Sequence, residues 1–275
     1  MLTSNFNMST YNLLKIYQRD GYIVLKKAML KKECKKLIKN TIIPILHKKK
    51  IYLSKPDSWK NKDNTKKHGQ LIYGPGGGHI ISKNNKHYRF PALFQSKKLN
   101  HILNIIHNRN VNNNYKNNST NKWQYNHLAK QGLGWIHLRY PYYNYENQFK
   151  NPVKYPEDSF HLDGLNYKNE IDVKQSVILL PFITTVNKNE GGTAVIPGSH
   201  KLINDYILRS HYKVNKNLDP VIDNIVIKND NKIIDVIGKQ GDILIMHPHL
   251  LHSPSFADIN SKVRITFNLS TQISI

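Results

Sequence analysis

The chain has 275 residues, 39% hydrophobic and 10% aromatic, which is enough for one sizeable core, and a single domain over residues 1–275 is expected. Its net charge of +23 favours anionic ligands, but the lysines are spread along the whole length among many asparagines, and no nucleic-acid motif accompanies them. The lone Cys34 excludes an internal disulfide, and no basic n-region or apolar run of membrane-span length is present, so a cytoplasmic location is expected.

In chain order, the apolar positions of residues 11–17 fit a short helix, and Asp20-Gly21-Tyr22-Ile23-Val24-Leu25 reads as a turn feeding a strand. Over residues 30–47, Leu30, Cys34, Leu37, Ile38, Ile42, Ile45 and Leu46 recur every three to four positions. This spacing predicts an amphipathic helix with lysines on its wet face, kinked or shortened by Pro44. Residues 48–86 read as long loops with one short strand at 70–73. Within them, Gly74-Pro75-Gly76-Gly77-Gly78-His79 lacks the Gly-Lys-Ser/Thr ending of a phosphate-binding loop and reads as a turn or lid. Leu99, Ile102, Leu103, Ile105 and Ile106 give a second scaffold helix, and the Asn-rich run over 108–121 reads as a surface loop.

From Leu133 the texture changes to short β-segments. Strands are predicted at 134–140, 158–162, 175–183, 193–196, 225–227, 233–236, 243–246 and 264–269, with a polar helix at 202–209. The run 175–183 is almost continuously apolar, as expected of a strand buried on both faces. Short strands separated by turns predict a sandwich or barrel in the second half, flanked by helices from the first.

His161-Leu162-Asp163 sets two metal-ligand side chains one residue apart, so on a strand both point to one face. A third ligand is available in His247-Pro248-His249-Leu250-Leu251-His252, where spacing alone does not choose among the histidines. Arg264 opens the next strand, and a hairpin-like return would bring it back beside the metal.

Asp20-Gly21-Tyr22, His161-x-Asp163, Gly191-Gly192-Thr193, Pro197-Gly198-Ser199-His200, Gly241-Asp242, His252 and Arg264 follow one another in a familiar order. In this the chain resembles, from about residue 20 to about residue 269, the phytanoyl-CoA dioxygenase branch of the Fe(II)/2-oxoglutarate-dependent oxygenases. The resemblance implies a mostly β fold with flanking helices, the double-stranded β-helix or jelly roll. Residues 131–275 would supply most of its core and residues 1–130 mainly helical and loop support. It implies that His161, Asp163 and His252 bind Fe(II), leaving positions for 2-oxoglutarate and O2, and that Arg264 pairs with the distal carboxylate of 2-oxoglutarate. Ascorbate would support such an enzyme. Halogenating relatives replace the carboxylate by a small residue. Asp163 is retained here, so hydroxylation is implied, with succinate and CO2 as co-products.

Thr193 is a candidate contact to the cosubstrate, and Trp135, His137 and Arg139 are candidates for the pocket wall, with Tyr140, Tyr142 and Tyr143 nearby. His200 is expected to be structural, His247 to pack near a strand end and His249 to lie exposed on a turn. The chain departs from the family pattern at Leu162, where relatives often carry a polar residue, at the aliphatic run 177–180, and at Ser253-Pro254-Ser255. A small-molecule substrate, anionic in view of the charge, is the leading expectation. Two other readings are an oxygenase acting on a protein or nucleic acid, and a basic binding module that uses the fold without catalysis.

Overall fold

The apolar run at 175–183 forms a buried strand inside the larger sheet. A computed structural model describes residues 4–48, 50–55, 58, 71–74, 77–80, 93, 95–114, 123–125, 135–139, 160–163, 175–209, 218–255, 257–258 and 260–273. The helices are α1 (Ser4–Asp20), α2 (Lys31–Leu37), α3 (Ile43–Lys48), α4 (Lys97–Asn114), α5 (Ser199–Arg209) and α6 (Asp219–Lys228). The strands are β1 (Tyr22–Leu25), β2 (Leu71–Gly74), β3 (Gly77–Ile80), β4 (Trp123–Tyr125), β5 (Trp135–Arg139), β6 (Gln175–Pro181), β7 (Thr193–Val195), β8 (Ile234–Val236), β9 (Ile243–Met246), β10 (His252–Pro254) and β11 (Arg264–Ile273).

Eight strands form one antiparallel sheet in the order β1-β9-β6-β11-β5-β3-β2, with β4 also paired to β11. A smaller sheet, β10-β7-β8, is extended by a bridge between His161 and His252. Alternation along the strands sorts the side chains. Val177, Leu179, Ile243, Ile245, Ile265, Phe267 and Leu269 face outward and pack with Leu14, Leu37, Leu46 and Leu103 of the first four helices. Their neighbours Ile178, Leu180, Leu244 and Met246 face inward against Val195 and Val236 of the smaller sheet. The outer face of that sheet, at Ala194, Ile196 and Leu251, is covered by Ile203, Ile207, Ile222 and Ile225 of α5 and α6. Two facing sheets with helices outside constitute the jelly roll, and burial on both faces explains why β6 has no polar alternation. No described helix is long and apolar enough to cross a membrane.

Several elements differ from the sequence expectation. The helix over 30–47 is not shortened at Pro44. It continues through a π-helical segment, Ile38–Ile42, in which the Ile43 N–H donates to Ile38 O. Pro44 has no N–H to return to Asn40, and the wider turn accommodates that loss. The N-terminal helix begins at Ser4, well before residue 11. The glycine run belongs to a hairpin with a second strand beyond the expected one, since Gly77 and Gly78 lie in β3 opposite Gly74 and Tyr73 of β2. Pro75 and Gly76 lie outside the described residues. Asn108 to Asn114 extend α4, because each residue added to a nucleated helix gains a backbone bond, and the rest of that Asn-rich run is outside the description. Residues 225–227 are helical: Pro220 sits in the first turn of α6, and Ile222 and Ile225, three apart, share its buried face. The β-branched residues there read as a strand locally, and packing overrode that preference. Cys34 is buried and its thiol is pushed up to about 11 by burial, so it behaves as a core residue.

Candidate metal centre

The site is built where the smaller sheet meets the segment at 160–163. His161 and His252 exchange both backbone hydrogen bonds, each 3.0 Å, so their side chains stand directly opposite on one face with ring centroids 4.4 Å apart. His252 also opposes Val195 of β7, whose side chain lies between the sheets, so this face points into the jelly roll. Phe160 and Leu162 face the other way, into the core beneath α5 and α6. Leu162 is therefore apolar because it is a core residue, whereas His161 and Asp163 share the inner face.

His161 Nε2 lies 3.7 Å from Asp163 Oδ1, and His252 Nε2 lies 3.6 Å from Asp163 Oδ2. One ligand atom from each of the three lies within 4.8 Å of the other two. Donors each about 2.1 Å from a common ion stand roughly 3–4 Å apart, so the set fits a divalent metal. The Leu250 carbonyl, 2.9 Å from His252 Nδ1, accepts its proton, so Nε2 is the nitrogen that faces Asp163 and would ligate a metal. Burial by itself would raise the Asp163 carboxyl, but the charge and hydrogen bonding of His252, the charge of His161 and a contact from Asn268 outweigh it. They hold the group well below the usual carboxylate range. Burial lowers His252 in turn, and Asp163 more than reverses this and raises it. The carboxylate is thus ionised at neutral pH and available to a cation.

The opposite wall comes from the large sheet. Asn268 Nδ2 donates to Asp163 Oδ2 at 3.4 Å, a long bond that places β11 beside the centre. Thr266 and Arg264 follow on the same face, and Arg264 Cα is about 13 Å from Asn268 Cα along the strand. Arg264 is buried, and it spans the two sheets. Its Nη1 donates to the Gly191 and Gly192 carbonyls, the latter at 2.7 Å, and its Nη2 donates to Thr266 Oγ1 at 3.1 Å.

Arg139 and His137 of β5 stand in register with Arg264 and Thr266, so they share the inner face, and the stem of Arg139 passes Gly191. Trp135 is in register with Asn268. Thr193 is buried opposite Pro254 and on the face of Val195 and His252. Tyr140, Tyr142 and Tyr143 lie outside the described residues.

His200, His247 and His249 form a separate group. His247 lies 5.0 Å from His200 and 5.2 Å from His249 by ring centroids, and its Nδ1 accepts the His249 backbone N–H at 3.0 Å. His249 is half-buried and bonded to Asn204 Oδ1 at 2.6 Å, which corrects the expectation of an exposed ring: α5 folds back over its turn. His200 is buried at the start of α5 against the Gly21 turn. There the Gly198 N–H donates to Asp20 O and the His247 N–H to Gly21 O, so motifs far apart in sequence meet as structural supports.

Asn268, Asp235 and Ser255 belong to the surroundings of the site and are not apparent as functional residues in the sequence. The signal for Asn268 was the alternation Arg264-x-Thr266-x-Asn268. Asp235 and Ser255 had none, since their contacts depend on β8 and β10 flanking β7.

The family model for phytanoyl-CoA dioxygenase matches residues 17–265, and the chain belongs to that family. No curated protein sequence matches it significantly. Among solved structures it is similar to SnoK, a non-heme alpha ketoglutarate dependent carbocyclase from nogalamycin biosynthesis (TM-score 0.57, 13% identity, 95% of this chain and 83% of that one). It is also similar to HygX from Streptomyces hygroscopicus with nickel and 2-oxoglutarate bound (0.51, 12%, 95% and 86%). A third is the epimerase SnoN in complex with Fe3+, alpha ketoglutarate and nogalamycin RO (0.50, 12%, 97% and 84%). At these identities the likeness concerns the fold.

Proposed function

We propose that this chain is an Fe(II)- and 2-oxoglutarate-dependent dioxygenase that hydroxylates a small molecule. The observation that carries the reading is the convergence of His161, Asp163 and His252 on one face, with Arg264 buried further along the facing wall. Two imidazoles and one carboxylate suit non-haem Fe(II) and leave coordination positions for a 2-oxo acid and dioxygen. When bound, the iron supplies the oxidative chemistry, in which 2-oxoglutarate is decarboxylated to succinate and one oxygen atom enters the substrate.

The chain's own residues bind and orient. Asp163 would neutralise part of the charge of a bound metal, and Asn268 holds its Oδ2. Arg264 would receive the distal carboxylate, for which a planar guanidinium is better suited than a lysine ammonium. Arg139, in register beside it, adds a second cation to the inner wall and favours an anionic substrate. His137 and Thr193 share the lining, whereas the inward aliphatic residues of β6 and β9 exclude water. SnoK is a carbocyclase and SnoN an epimerase, so the reaction outcome must be read from the product.

The test is metal-dependent binding of 2-oxoglutarate, followed by turnover with Fe(II) and ascorbate in which succinate and oxygenated product are quantified. His161→Ala should abolish metal binding, and Arg264→Ala should abolish 2-oxoglutarate binding while sparing the metal. Wild-type protein that binds no 2-oxoglutarate in the presence of a divalent metal would refute the proposal.

A further inference from the structure

Asp235, in the middle of β8, lies behind the wall that receives Arg264. Its Oδ1 accepts the Ser255 hydroxyl at 2.8 Å and its Oδ2 the Asn189 backbone N–H at 3.3 Å. Gly192 sits directly against it: a Cβ there would fall 2.1 Å from Asp235 Oδ1 and 2.8 Å from Val236 O. The Gly192 carbonyl accepts two donors, the Ser255 N–H at 3.2 Å and Arg264 Nη1 at 2.7 Å. Three segments therefore meet at one peptide: the loop entering β7, the chain just beyond His252, and the first residue of β11.

We propose that Asp235 is a positioning residue for Arg264. Through Ser255, Asn189 and Gly192 it fixes the carbonyls on which the guanidinium is seated, and so sets the angle at which Arg264 meets the distal carboxylate of a 2-oxo acid. The inference rests on the function proposed above. Both hydrogens of Nη1 go to the Gly191 and Gly192 carbonyls, so the plane of the guanidinium follows those two peptides. Bidentate recognition tolerates only small errors in that plane. Gly192 is held from the side by backbone and from behind by Asp235, and replacing that carboxylate by a methyl group removes two of the bonds that keep the loop in register. Asp235 does not belong to the His161, Asp163 and His252 set, so its effect should reach the cosubstrate and not the metal.

The experiment uses the full chain loaded with Ni(II) and titrated calorimetrically with 2-oxoglutarate and, in parallel, with pyruvate, a 2-oxo acid without the distal carboxylate. Asp235→Ala should raise the 2-oxoglutarate Kd about tenfold, the lower range for losing a supporting partner, while changing the Kd for pyruvate and Ni(II) by less than about twofold. Asp235→Asn, which keeps an acceptor oxygen, should recover most of the loss. If Asp235→Ala does not fold, Ser255→Ala removes only the bond to Oδ1, and it should show the same selectivity at about two- to threefold. An equal loss for both acids, or no loss, overturns the inference and leaves Asp235 as a purely structural residue. Wild-type protein that binds 2-oxoglutarate no better than pyruvate overturns the role of Arg264 itself, an outcome distinct from any behaviour of the variants.

Discussion

Replacing Asp163 by alanine tests the centre most directly, because the carboxylate stands between the two histidines and contacts both, at 3.7 and 3.6 Å. With Ni(II) a hundredfold above its wild-type dissociation constant, binding to the native state alone stabilises it by about 2.7 kcal/mol. For a chain of this size each kcal/mol moves Tm by roughly 2–4 °C, so the wild type should rise by about 5–11 °C. Loss of a mere supporting partner weakens metal sites 10–100-fold, so loss of the one anionic ligand among the described residues of the set should cost about 100-fold or more. At the same nickel concentration the variant then gains only about 0.4 kcal/mol, or roughly 1–2 °C. The assay is thermal unfolding with and without Ni(II), with His249→Ala as control, since that ring is bonded to Asn204 and faces the other histidine group. A full nickel shift in Asp163→Ala, or an equal loss in the control, would show that the ion binds elsewhere.

Two further outcomes follow from the scaffold. Gly241 has φ +94°, and a Cβ there would lie 2.5 Å from Met29 O, so Gly241→Ala should destabilise by about 2–3 kcal/mol, seen as a lower urea midpoint with unchanged m-value; an unmoved midpoint contradicts this. Burial lowers His107, His200 and His249 to about 4, and holds His247 well below its ordinary value. At these four positions the unfolded chain takes up protons below about pH 6.5 that the folded one refuses, so their contribution to stability is full above that pH and falls towards pH 4. Each such histidine adds up to about 1.4 kcal/mol per pH unit to the slope. Denaturation curves at pH 7, 6 and 5 check this, and a flat profile would disagree.

Much of this site was legible because it depends on local periods. His161 and Asp163 share a face for the same reason that Leu162 does not, and Arg264, Thr266 and Asn268 alternate in the same way along β11. The apolar run of β6 likewise announced a strand covered on both sides. Elements failed where a local preference met a packing demand. The isoleucines of α6 have β-forming side chains, but two of them are needed three residues apart against the smaller sheet.

The sequence by itself determined the strand-rich second half, the His-x-Asp pair and the family to which they point, because composition, alternation and motif order are properties of the chain. Spacing left three nearby histidines open and the family resemblance pointed to His252, but only the tertiary structure supplies the physical reason for that choice. His252 meets Asp163 because its backbone pairs with His161, and His247 is committed to the His249 amide instead. Tertiary structure also decided the seating of Arg264 on Gly191 and Gly192 and the place of Asp235 behind them, since those contacts join residues 43 to 73 positions apart that only the sheet register brings together. Side-chain direction within a strand is a local consequence of its pleat, whereas the partner opposite it exists only once the sheets have formed.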